Sequence, residues 1–163
     1  MKRTLILFAF LVTVSLNAFA QDEKWIRFSP AGSGFEVMLP SEPTEKVEKR
    51  ANFSTHMYSS TLGRTVFLIS YSDYQTIPEK ALEANRDDFN KQMQATLLSS
   101  RNVEFDGKIG LEFTSEISAA NVKSRIFLVG NRLYQTAALV FKDTQDETRV
   151  DRFFQSFGFL KAP

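Results

Sequence analysis

The chain has 163 residues, with 20 Lys and Arg, 19 Asp and Glu, a single histidine and no cysteine. Charges of both signs are interleaved along it, which argues against the basic footprint of a nucleic-acid binder and against electrostatic attachment to an anionic membrane surface. Without cysteine it has no disulfide framework, no thiol nucleophile and no cysteine-based metal site, so packing alone must stabilise it.

Taken in chain order, Met1-Lys2-Arg3 is a basic start, Leu5 to Leu16 a mostly apolar run, and Ala18-Phe19-Ala20 a small-x-small cleavage pattern. Residues 1–20 are therefore predicted to be a signal peptide, with an apolar run short of a comfortable membrane span. No cysteine follows the predicted cleavage point, so lipid attachment there is not expected. The remaining 21–163 is a length suited to one domain, and no repeat or linker divides it. Losing Lys2 and Arg3 leaves 18 basic against 19 acidic residues.

Trp25-Ile-Arg-Phe28 predicts a short strand and Pro30–Gly34 a turn. Phe35-Glu-Val-Met-Leu39 alternates, with Phe35, Val37 and Leu39 on one face and Pro40 closing it. Thr44 to Arg50 reads as a charged edge strand. Phe53 to Leu62 reads as another strand, turning at Gly63. Thr65 to Tyr71 is apolar enough to predict a strand buried on both faces. One long amphipathic helix is predicted over Pro78 to about Leu98, capped near Thr76 or Ile77, with Leu82, Phe89, Met93 and Leu97 at near-helical spacing.

Arg101–Phe105 and Gly107–Ile117 follow as strands about an Asp106-Gly107 turn. Ile126–Val129 and Leu133–Phe141 then form a hairpin about Gly130-Asn131, residues that accept the positive φ of a tight turn. Ile126 and Leu128 lie on one face of that hairpin and Phe127 and Val129 on the other, as in a strand covered by layers on both sides. A last short helix, with acidic residues near its start, turns Val150, Phe153, Phe154 and Phe157 inward, and Phe159-Leu160 returns as a strand stub. Strands before and after one long helix, joined by short turns, predict an α+β fold with a mainly antiparallel sheet covered by helices on both faces.

This order of elements resembles the Mog1/PsbP-like fold. The resemblance rests on the Phe35–Pro40 segment, the buried strand running into Ser70-Tyr-Ser-Asp73, the long helix, the Arg125–Gln135 hairpin and the phenylalanine-rich closing helix. It implies an α/β/α sandwich known from photosystem accessory proteins, a Ran-binding protein and exported bacterial proteins. Its members are mostly binding or assembly modules. No short motif carries a photosystem or Ran-binding role onto particular residues of this chain.

Few residues argue for chemistry. His56 is the only histidine, so any imidazole acid–base scheme must use it, yet no nucleophile motif accompanies it and an ordinary strand histidine is the simpler reading. Asp143, Asp146, Glu147 and Asp151 cluster about the last helix start, where carboxylates commonly favour the helix dipole, and they lack the spacing of a calcium loop. Adjacent Asp87 and Asp88 diverge on their helix. The 13 phenylalanines beyond residue 20 either fill the core or line a pocket for an apolar ligand. Tyr71, Tyr74, Arg132 and Tyr134 lie near strand ends and are of the types that anchor interfaces, so they are the candidate partner-docking residues. Asn52-Phe53-Ser54 matches a glycosylation acceptor by pattern only.

The resulting expectation is an exported, periplasmic or extracellular, non-enzymatic accessory module that docks to a protein of the cell envelope. It needs no catalytic residue, metal or cofactor, binds no nucleic acid, and has no stable membrane insertion once the signal is removed. The alternatives are a carrier of a small apolar molecule and, behind it, a hydrolase-type enzyme.

Overall fold

A computed structural model describes residues 24–160, and the predicted signal peptide lies outside them. Seven antiparallel strands form the main sheet, in the order β3-β4-β5-β9-β8-β7-β6. They are β3 (Thr44–Lys49), β4 (Phe53–Leu62), β5 (Thr65–Tyr74), β6 (Thr96–Phe105), β7 (Lys108–Glu116), β8 (Ala120–Val129) and β9 (Arg132–Phe141). The predicted hairpin is β8–β9, turning at Gly130 with φ 58°, and it sits near the middle of the sheet. Asp106 and Gly107 turn β6 into β7 with φ of 52° and 67°, the mirror-image turn that matches strand twist.

The pleat sorts the side chains onto two faces. The first carries Phe67, Ile69 and Tyr71 of β5 with Tyr134 and Ala138 of β9, all buried. It is covered by a second, three-stranded sheet of β1 (Ile26–Phe28), β2 (Phe35–Leu39) and β10 (Gly158–Phe159), and by α2 (Glu147–Ser156). Phe35, Val37 and Leu39 point down onto it, as their alternation predicts, and Phe153 meets Phe67 at 5.2 Å between ring centres. The second face carries Leu111, Phe113, Ile126 and Leu133, with Leu82 and Phe89 of α1 (Ala81–Met93) packed against them; Phe89 and Phe113 rings are 5.9 Å apart.

The fold is thus a mostly antiparallel sheet with two short helices, and three details depart from the sequence reading. The first covering layer is largely a small sheet, because β2 turns Phe35, Val37 and Leu39 onto the main sheet and pairs with β1 and β10 rather than with it. The helix is shorter than Pro78–Leu98: it begins after Lys80, whose φ of 52° breaks the backbone without a side-chain cap, and ends at Gln94, also left-handed. Leu97 and Leu98 consequently belong to β6, where Leu97 pairs with Ser115 of β7 and Leu98 falls at a register shift. Finally, β5 buries its apolar side chains fully on the first face only, and Val66 and Leu68 on the other face are half-buried. Its other face carries Ser70 and Ser72 after Leu68. No helix among the described residues is long and apolar enough to cross a membrane.

Candidate functional site

Where α1 leans toward β7 and β8, the β4–β5 side of the second face is left open. The side chains there are short: Thr55 and Ser72, whose hydroxyls share a hydrogen bond of 2.7 Å, and Ser70 beside Gln135. Small residues facing a helix leave space, and a groove of about 320 Å³ runs between α1 and the strands. Met57, Phe53 and Tyr74 line its sheet side, and Asn85, Asp88, Phe89 and Gln92 its helix side.

Phe53 and Tyr74 lie ring to ring at 5.1 Å, and Arg50 places its guanidinium 5.6 Å over Phe53 while pairing with Glu48. Burial, with the nearby Asp88 carboxylate, raises the Tyr74 phenol above its ordinary pKa, so it is a neutral hydroxyl at physiological pH. The Asn85 side-chain oxygen is shielded from solvent and accepts no hydrogen bond, leaving an acceptor of the groove wall unsatisfied. The arrangement offers one aromatic wall and several neutral donors and acceptors. It presents no nucleophile paired with a base.

Three of the four predicted docking residues come together, on the first face. The Arg132 fork donates from Nε and Nη2 to both oxygens of Asp73 at 2.6 and 2.8 Å, and from Nη1 to the Gly32 and Ser33 carbonyls at 2.6 and 2.8 Å. Its plane lies 4.5 Å from the Tyr71 ring centre. Tyr134 also donates to the Ser33 carbonyl, at 3.1 Å. Hydrogen bonding to Asp73 raises the Arg132 pKa further, against the effect of its partial burial. Tyr71 and Tyr134 are buried, and this cluster fastens the 30–34 turn to the sheet. Burial leaves these two tyrosines little surface to present, so of the expected docking set Tyr74 alone, on the opposite face, lines the groove. The signal for this fastening lay in the Gly-Ser-Gly turn: Gly34, at φ 75°, sits so close that an added Cβ would fall 2.6 Å from the Tyr134 hydroxyl.

His56 projects from β4 on the first face. Its ring stacks on Tyr71 at 4.8 Å and its Nδ1 meets Glu45 Oε1 at 2.9 Å. Tyr58 donates to the same oxygen at 2.9 Å, and the two bonds hold the Glu45 carboxyl below its usual range. Burial and that bond raise the Tyr58 phenol well above its ordinary value. The hydroxyls of the groove lie on the other face and do not reach His56.

The acidic cluster of the last helix disperses. Asp143 pairs with Arg64, Asp151 with Lys123, and buried Asp146 accepts from Thr65 and Arg149. Asn52 donates its side-chain amide to the Thr76 carbonyl at 3.0 Å, tying the loop after β3 to the segment after β5.

The solution structure of cyanobacterial PsbP (CyanoP) from Synechocystis sp. PCC 6803 superposes with a TM-score of 0.58, over 86% of this chain and 95% of that one, at 13% identity. The fold is PsbP-like. At that identity the likeness concerns the fold and carries no site across. A crystal structure from Bacteroides thetaiotaomicron VPI-5482 aligns with a TM-score of 0.42 and 15% identity over 83% of this chain and 48% of that one, too loosely to support an argument. No protein-family model matches the chain, and no curated protein is a significant sequence match. The PsbP-like scaffold therefore supplies the architecture, and the groove beside α1 must be interpreted from its own residues.

Proposed function

We propose that the protein is a non-enzymatic accessory module, exported by its N-terminal signal, that docks to a protein of the cell envelope through the groove between α1 and β4–β5. In this reading α1 and α2 act as the outer layers of an α/β/α sandwich, and Tyr74 with Phe53 forms the docking wall. Arg132, Tyr71 and Tyr134 support the molecule from the other face. The observation that carries the proposal is the groove's composition: a paired aromatic wall beside hydroxyl and amide groups, with Glu48, Arg50 and Asp88 as its charged members, open along one side. Such a surface suits a protein segment that offers an apolar side chain and backbone hydrogen bonds.

A photo-cross-linking residue at Gln92 tests this in intact cells, with Thr61 as a position outside the groove. A discrete adduct with an identified envelope protein from Gln92, absent from Thr61 and weakened by Tyr74→Ala, is the expected result. Identical adducts from both positions, or none from Gln92, would overturn the reading.

A further inference from the structure

The two edges of the main sheet are built differently. Four of the six residues of β3, Glu45, Lys46, Glu48 and Lys49, are charged, the usual guard against unwanted strand pairing. At the other end β6 is ten residues long, is exposed almost throughout, and has only Arg101 and Glu104 as charges. No strand among the described residues pairs with its outer side. Its one irregularity falls between Leu97 and Ser99, so Ser99–Phe105 is a regular edge, more sparsely charged than β3.

Beside that edge, on the first face, stands a charge arrangement the groove does not use. Register aligns Arg101 of β6, Glu112 of β7 and Arg125 of β8 in one row. Glu112 is only 8% exposed; its Oε1 accepts from Arg101 Nε and Nη2 at 3.0 and 2.5 Å, and its Oε2 from Arg125 Nε at 2.6 Å. Burial alone would raise its pKa, but the bonds from Arg125 and Arg101 outweigh that and keep it lowered, so the carboxylate is ionised. Two guanidiniums on one carboxylate leave a positive charge in excess, and neither terminal nitrogen of Arg125 is used in these bonds. A cavity of about 420 Å³ adjoins them, walled by Phe105 and Phe127. Glu104 also lines it, but its partner is Ile109, in the row that faces the opposite side.

We propose that β6 is a strand-docking edge for an extended, acidic segment of a partner protein. The segment's backbone pairs with Ser99–Phe105, and one of its carboxylates reaches Arg101 and Arg125. Backbone pairing would supply affinity and the carboxylate would set register, the division of labour usual when a peptide extends a sheet. A second copy of this chain suits the edge less well. Two-fold antiparallel pairing brings each face against itself, and the β6 residues of the arginine face, Ser99, Arg101, Val103 and Phe105, include no acid to meet the excess charge. This surface is independent of the groove, which lies on the opposite face.

A displayed library of random ten-residue peptides, selected against the intact protein, provides the test. Selected peptides are expected to carry Asp or Glu, to shift amide resonances of residues 99–105 first, and to weaken about tenfold with Arg101→Gln or Arg125→Gln. N-methylation of the peptide backbone should abolish binding, because it removes the ladder donors. Binders that lack acids, map away from β6 or ignore both substitutions would overturn the proposal. So would a native mass showing a dimer whose protected amides are those of β6.

Discussion

Replacing Arg132 with alanine should destabilise the protein far more than removal of a surface arginine usually does. The side chain makes two bonds to a half-exposed Asp73, two to the carbonyls of Gly32 and Ser33, and a stack on Tyr71. The pair with Asp73, being partly solvated, contributes under about 1 kcal/mol. The two bonds to carbonyls add about 1 kcal/mol each, and the stack about 0.5–1 kcal/mol. A loss of about 3 kcal/mol follows, or a fall of about 6–12 °C in Tm at this chain length. Lysine keeps the charge but not the planar fork, so Arg132→Lys should recover less than half of the loss. Urea unfolding at equilibrium, followed by tryptophan fluorescence of Trp25, measures both variants. If Arg132→Ala lies within about 0.5 kcal/mol of the parent, the 30–34 turn is held by other contacts and the structural role assigned here fails.

Gly34→Ala should destabilise through the same cluster, because φ is 75° and the new Cβ would press on the Tyr134 hydroxyl; about 1–3 kcal/mol is expected in the same unfolding assay. Gly110→Ala should cost at least as much for a different reason, since its Cβ would collide with the Ile126 carbonyl and the Phe127 ring where two strands pack closely; a soluble variant with unchanged Tm would contradict that contact. Glu112 has a lowered pKa in the folded state, so its contribution to stability is fully present above the ordinary carboxylate value of 4.5 and is lost as pH falls through the lower folded value. Between about pH 5 and pH 3, the urea midpoint of Glu112→Gln should therefore fall less steeply than that of the parent. His56→Gln should cost no more than about 1 kcal/mol, because its partner Glu45 is solvated; a larger loss would mean that the Tyr71 stack is a principal support.

The sequence by itself determined the strands, most of their turns and the α+β class. Alternation in Phe35–Leu39, the Gly130 and Asp106-Gly107 turns, and the inward set Val150, Phe153, Phe154 and Phe157 follow from local periodicity and backbone permissiveness, which act over a few residues. Tertiary structure decided which sheet each strand joined. Leu97 continues a helical spacing, yet β6 claims it and Leu98 because the chain leaves the helix at left-handed Gln94 and Leu97 pairs with Ser115 of β7, a partner distant in sequence. The groove was invisible for a related reason. Ser70, Ser72 and Thr55 are ordinary strand residues one at a time, and they make a recess only when register stacks them under α1. Likewise, nothing local marks Arg132 as a half-buried structural anchor. Its fork finds Asp73 and the Gly32 and Ser33 carbonyls at sequence separations of 59, 100 and 99 residues, and such convergence is a property of the folded topology.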